Sequence, residues 1–350
     1  MSTSRDVIHW ILTSPLDRLD DAQCRHVKRC LIDLIGVAAG ATDTALAEHA
    51  RRYVRVQHAG GRPLLFASST ASATGVALHG AWLIDALDAH DGQVLTKGHA
   101  GVAILPGLLA LPEIDKVSGR NFLGLLAMGY EIATRAGIAL HASSPDYHTS
   151  GAWNALGVAA VTARLKGLDP ARLEHALGIA EFYGPRSQMM RCIDHPTMLK
   201  DGSGWGAQAG VAATLLAEDG FTGAPAVTLC DEQQAAVWGD LGRRDYLSEQ
   251  YFKAYPVCRW AQPAVEAVLA IPAAERQVEN IERIEITTFH EARRLHTIAP
   301  TTTEQAQYSL PWSVACALDR GTIDVAAISR DLGDDDLVAL SRRVTITECD

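Results

Sequence analysis

The sequence has no C-x-x-C pair, no internal repeat and no low-complexity tract. Its seven cysteines (Cys24, Cys30, Cys192, Cys230, Cys258, Cys316 and Cys349) are scattered, without the spacing of a zinc site. An odd, dispersed set is the pattern of reduced thiols in a cytosolic protein. Positive charge is in deficit. With 31 Lys and Arg against 41 Asp and Glu, the net charge of −10 disfavours nucleic acid or an anionic membrane as partner. The opening "MSTSRDVIHW" lacks the basic region and apolar core of a signal peptide. No apolar run is expected to span a bilayer, since "VAILPGLLALP" is short and contains Pro106. The expectation is a soluble, cytoplasmic protein.

What is present is a chain for packing helices. At 350 residues, 48% hydrophobic and 21% charged, it is long and apolar enough for two domains with a substantial core. "DAQCRHVKRCLIDLIGVAAGA" sets Val27, Cys30, Leu31 and Leu34 at helical spacing, with Gly40 as a stop. "GRNFLGLLAMGYEIATRAGIAL", "SGAWNALGVAAVTARLKGL" and "GAQAGVAATLLAEDG" follow suit, with alanine and glycine faces that let helices approach closely. In "DPARLEHALGIAEFYG", Asp169 is the predicted N-cap and Pro170 the first helical residue. A short strand is predicted near "RPLLFASS".

After Pro272 the pattern changes. "IERIEITTFH" alternates as a half-buried strand, "PWSVACALDRG" is a helix closed by Gly321, and "RRVTITECD" is a second strand without an evident partner. The reading is a mainly α protein: a large helical domain over residues 1–271 and a small α+β lid domain over 272–350.

Titratable groups gather in four places. "DALDAHDGQVLTKGHAG" repeats aspartate at Asp85, Asp88 and Asp91, followed by Lys97 and His99. A helix running through Asp88 puts the three acids on one flank, where they repel one another and face the negative end of the helix dipole. A solvated helix terminus would explain one such acid; a cluster with a lysine and a histidine a short loop away points to chemistry. "SPDYHTSGAW" places His148 before a helix whose predicted N-cap is Thr149 or Ser150, and such a helix start suits an anion. "LKDGSGWGAQAG" sets Lys200 before a glycine-rich helix start. Its formal G-x-G-x-x-A lacks the preceding strand a dinucleotide site requires. "YFKAYPVCRWAQPA" brings Lys253 and Arg259 as anion contacts around Cys258. An activated thiol there would need a partner histidine, and none is identifiable.

In this order the stretches resemble the MmgE/PrpD family, which includes 2-methylcitrate dehydratase, cis-aconitate decarboxylase and iminodisuccinate epimerase. "DALDAHDGQVLTKGHAG" resembles its H-x-L-D-x-D-D and G-H-P elements, and "DYHTSGAWNALGVAAVTARLKGL" its His-Thr loop and alanine-rich helix. "LKDGSGWGAQAG", "FKAYPVC" and "QYSLPWSVACAL" resemble the lysine–tryptophan–glycine turn, the Lys-x-x-Pro segment and the Ser-Leu-Pro helix. The resemblance implies roles for Asp88, Asp91, His99 and His148 as proton carriers and for Lys200 and Lys253 in binding. It aligns Trp312 with a site tyrosine of the decarboxylase branch. Departures stand at Asp85, His90, Gly92 (where many members have a hydroxyl residue) and Ala100. Relatives continue through further strands, so the resemblance also implies a small domain that stops short, and it implies a homodimer.

The family's reactions pass through or near a carbanion alpha to a carboxylate. Cations beside that carboxylate stabilise the developing charge, best where water is scarce. Neighbouring carboxylates and imidazoles supply a base and an acid without metal or cofactor. The expectation is therefore that Lys200, Lys253 and either Lys97 or Arg259 hold a small di- or tricarboxylate between the domains, while Asp88, His99 and His148 move protons. The sequence leaves base and acid unassigned. The expected function is a metal-free lyase of the 2-methylcitrate dehydratase kind, with epimerisation of a dicarboxylate, decarboxylation or carboxylate binding without turnover as the alternatives.

Overall fold

The computed structural model describes residues 3–349; Met1 and Ser2 of the opening stretch and Asp350 of the last predicted strand lie outside them. The chain divides into two compact units. The first comprises residues up to Ala86, His90–Gln188 and Asp201–Phe252, and the second comprises Leu87–Ala89, Met189–Lys200 and everything from Lys253. The sequence placed the change of character after Pro272, whereas the units part at Phe252 and Lys253. The reason is hydrogen bonding: Lys253 bonds Asp88, and the Cys258 N–H bonds the Gln307 carbonyl, both inside the second unit.

The first unit is helical: α1 (Thr3–Thr13), α2 (Asp21–Gly40), α3 (Ala45–Gln57), α4 (Ala73–Asp85), α5 (Gly101–Ala110), α6 (Gly119–Ser143), α7 (Gly151–Lys166), α8 (Pro170–Tyr183) and α9 (Ser203–Asp219). Local chemistry sets many of the ends. Asp20 accepts the Gln23 N–H at 2.8 Å while the Gln23 side chain accepts the Asp20 N–H at 3.1 Å, a capping box that starts α2. Asp169 caps α8 at 2.9 Å, with Pro170 at the first helical position. The stretch near "RPLLFASS" forms only a two-residue antiparallel ladder, β1 (Arg62–Pro63) with β2 (Thr70–Ala71).

Helix α7 is the centre of this unit, packed against α5, α6, α8 and α9. The alanine and glycine faces serve this packing. A β-carbon at Gly210 would stand 2.5 Å from Val158 Cβ and 2.6 Å from the Ala155 carbonyl oxygen, so α9 lies against the α7 backbone only because that atom is missing. One turn further on, the buried hydroxyls of Thr162 and Thr214 hydrogen-bond across the two helices at 2.7 Å. Helix α6 corrects the expectation of no run long enough to cross a membrane: by length and composition it qualifies. Most of it is nevertheless buried inside the protein, and it carries Arg135 bonded to Glu131 at 3.2 Å and to Asp240 at 2.6 Å. It is a core helix of this unit, packed on α7.

In the second unit, α10 (Gln262–Leu269) and α12 (Asp335–Ser341) pack on α11 (Leu310–Arg320). Strands β3 (Ile284–Thr288) and β4 (Val344–Glu348) pair in parallel, from Ile284 opposite Val344 to Thr288 opposite Glu348. The last strand thus has β3 as its partner, a pairing the sequence reading did not assign. Parallel strands need a long crossover, and α11 and α12 lie within it. Gly321, at φ 71°, closes α11 as predicted.

Replacing Gly210 by alanine forces a methyl group into the α7–α9 contact. We expect a loss of about 1–3 kcal/mol, read as a lower denaturation midpoint, whereas alanine at the open Gly36 leaves the midpoint nearly unchanged.

Candidate active site

The acidic segment does not continue as a helix. Helix α4 stops at Asp85, and Asp88 sits in the left-handed region at φ 49°. The three aspartates therefore share no helix flank. Asp85 and Asp91 belong to the first unit and Asp88 to the second. None is solvated: all three are buried.

In the second unit, Asp88 is paired with Lys253. The ammonium donates to Asp88 Oδ1 at 2.8 Å and to the Asp88 carbonyl at 2.7 Å, and both side chains are almost wholly inaccessible. Lys200, also buried and left-handed at φ 51°, donates to Gln307 Oε1 and lies 5.2 Å from the Tyr308 ring centre. The Cys258 thiol feels Asp88, Lys253 and Lys200 together. Burial, reinforced by Asp88, pushes it up to about 12, so it stays a neutral thiol rather than a nucleophile. Arg259 is exposed. Trp312 is fully buried and donates its indole N–H to the Ala327 carbonyl at 2.9 Å.

In the first unit, His99 meets the backbone of Asp91. His99 places Nδ1 2.6 Å from the Asp91 carbonyl oxygen. A carbonyl can only accept, so Nδ1 carries the proton and the neutral ring's lone pair lies on Nε2. The His99 N–H donates to Ser150 Oγ at 2.9 Å, and the His90 ring lies 4.4 Å from that of His99. Burial, with nearby Asp33 reinforcing it, pushes the Asp91 carboxyl up to about 8; contacts with the Tyr130 hydroxyl and the Cys30 thiol offset part of that. Asp91 is mostly protonated at neutral pH.

Lys97 and His148 both lie near His141. The Tyr147 hydroxyl donates to the Lys97 carbonyl, and the Lys97 ammonium lies 5.5 Å from the Tyr147 ring centre. His148 donates its N–H to His141 Nε2 at 3.3 Å, and burial lowers His141 to about 4.

Two sequence expectations change here. Ser150 is the N-cap residue of α7, but its side chain makes no capping hydrogen bond: the hydroxyl accepts the His99 N–H instead. The helix start is also occupied, because Asp201 accepts the Ser150 N–H on Oδ1 at 2.9 Å and the Gly151 N–H on its carbonyl at 3.1 Å. No strand precedes Gly202; Met190–Asp194 is a short helix, consistent with rejecting a dinucleotide site. Among the described residues, no three His, Cys, Asp or Glu side chains form a group suited to a metal ion.

The sequence reading missed Tyr251, Asp201, Asp33 and Gln307, and gave Ser150 a capping role only. Only Tyr251 left a trace, in Gly92. The backbones of Gly92 and Tyr251 exchange hydrogen bonds of 3.0 and 2.8 Å. A β-carbon at Gly92 would lie 2.6 Å from the Tyr251 hydroxyl and 2.9 Å from His99 Nδ1. Glycine here admits a tyrosine hydroxyl beside the imidazole.

The Asp91 carboxyl titrates near 8 when folded and at 3.8 by default. Its neutral form stabilises the fold fully below pH 3.8, and that contribution is lost as pH rises through 8. We therefore expect the melting temperature of Asp91→Asn to gain on that of the unaltered protein from pH 5 to pH 8. A constant difference across that range would contradict this assignment.

Comparison with known proteins adds a lineage to this geometry. A cis-aconitate decarboxylase-like protein, oryM, from Aspergillus oryzae is 29% identical over 151 residues, covering 40% of this chain. The match spans 31% of that relative's length. The model of the MmgE/PrpD N-terminal domain matches residues 5–237 and that of the C-terminal domain matches residues 255–350. Their boundary brackets the division of the compact units at Phe252 and Lys253. Matched along almost its whole length by both domains in order, the chain belongs to the MmgE/PrpD family.

Proposed function

We propose that the protein is a lyase that removes water from a small di- or tricarboxylate, in the manner of 2-methylcitrate dehydratase. The observation that carries this reading is the contrast between two buried lysines. Lys253 is matched by Asp88, whereas the hydrogen-bond partner of the buried Lys200 is the neutral amide of Gln307. An inaccessible ammonium calls for an anion, and a polycarboxylate supplies several. In this reading Lys200 and Lys253 hold substrate carboxylates, with Lys97 as a further cation. Asp88, expected from the sequence as a proton carrier, instead orients Lys253.

His99 takes the proton alpha to a carboxylate on Nε2, the position its Nδ1–H bond to the Asp91 carbonyl leaves basic. The C–H electron pair becomes the new C=C bond, and the β C–O bond breaks. The hydroxyl leaves as water after receiving a proton, with Asp91 and His148 as the acids on hand. The lysine ammoniums stabilise charge that accumulates beside the carboxylate as the proton departs.

Epimerisation of a dicarboxylate such as iminodisuccinate is the second reading. The resemblance aligns Gly92 with a hydroxyl residue of dehydratase and decarboxylase members, a departure that fits either reading.

Proton NMR in deuterated water with 2-methylcitrate, citrate, cis-aconitate and iminodisuccinate separates these readings. New vinyl signals are expected from a hydroxy acid. Deuterium exchange at one carbon without vinyl signals selects epimerisation, and neither change in any substrate defeats both. With the substrate that turns over, His99→Ala and Lys200→Ala are each expected to lose about 10²–10⁴-fold in rate; full turnover by either removes that residue from the mechanism.

A further inference from the structure

Asp33 projects from α2 and was not marked by any sequence motif. Its Oδ2 accepts the Asp91 N–H at 2.9 Å. Asp91 is thereby held from one side, and the hydrogen bonds between Gly92 and Tyr251 hold the following residue from the other. The carbonyl between these anchors is the acceptor for His99 Nδ1. Three links therefore run in series: the Asp33 carboxylate to the Asp91 N–H, the Asp91 backbone to its own carbonyl, and that carbonyl to the imidazole.

We infer that Asp33 is a positioning residue for His99, anchoring the Asp91 backbone so that its carbonyl keeps the imidazole in the Nδ1–H form with Nε2 basic. This rests on the assignment of His99 as a proton carrier. The choice of tautomer decides whether the imidazole is useful. If the proton moves to Nε2, the nitrogen held against the Asp91 carbonyl becomes the basic one, and two lone pairs then face each other at hydrogen-bonding distance. A fixed carbonyl enforces the choice. The other groups around this segment are the Cys30 thiol, the Tyr130 hydroxyl, the Asp91 carboxyl and the His90 ring. The Asp91 N–H itself is held by the Asp33 carboxylate.

A residue that merely satisfied a buried N–H would alter stability and leave the tautomer alone. The test is nitrogen NMR of the full chain labelled with ¹⁵N-histidine at pH 8, with the His99 signals identified by their loss in His99→Gln. The unaltered protein is expected to show a protonated Nδ1 and an unprotonated Nε2. Asp33→Asn, which keeps an acceptor oxygen, should preserve that pattern. Asp33→Ala should give a mixture of tautomers, with kcat reduced about 10-fold or more and KM within about twofold, the scale of losing an outer partner of a functional histidine. Should Asp33→Ala fail to fold, Asp33→Glu displaces the carboxylate by one methylene and is read the same way. A single Nδ1–H tautomer and unchanged kcat in these variants would overturn the inference. If instead His99→Ala retains full turnover while the tautomer still responds to Asp33, the assignment of His99 has failed and the positioning has not.

Discussion

A carboxylate withdrawn from water must be paired or neutralised, and the segment from Asp85 to Asp91 shows both solutions within a few residues. Asp88 meets the Lys253 ammonium, while Asp91 keeps its proton. Burial makes the difference between them chemically useful. In water both acids would be ionised at neutral pH; here one is a fixed negative charge orienting a cation and the other a neutral donor. The left-handed backbone at Asp88 is what separates them. It sends Asp88 to one compact unit and leaves Asp91 in the other.

Around that segment, each polar group is held by another whose own partner is fixed. His99 is tied through its ring to Asp91 and through its N–H to Ser150, and Ser150 is tied in turn to Asp201. The asparagine of α7, Asn154, donates to both the His99 carbonyl and the Ser203 hydroxyl, joining this network to the start of α9. Such chains restrict side chain rotation, and a base held in one rotamer and one tautomer needs little reorganisation when it acts. The close α7–α9 contact through Gly210 supplies the rigid support behind it.

Much of this was legible in the chain, for identifiable reasons. Helix boundaries at Asp20, Asp169 and Gly321 follow from local capping, which involves residues within a few positions of each other. The clustering of acids, lysine and histidine between Asp85 and His99 was conspicuous because such a group is costly unless it has a task. Trp312 shows what similarity of position leaves open. The sequence aligned it with a site residue, yet its indole is buried against the Ala327 carbonyl.

Sequence alone determined the helical body, the α+β tail, the family and the residue types on which chemistry of this kind draws, because periodicity, caps and motifs act over short separations. Tertiary structure decided which of those residues meet. Asp33 and Asp91 are 58 positions apart, Lys253 and Asp88 are 165 apart, and Lys200 and Gln307 are 107 apart. No local rule links such pairs. Only packing determines that one aspartate becomes a counter-ion and its neighbour a neutral acid, since burial and partner, rather than residue type, set the charge.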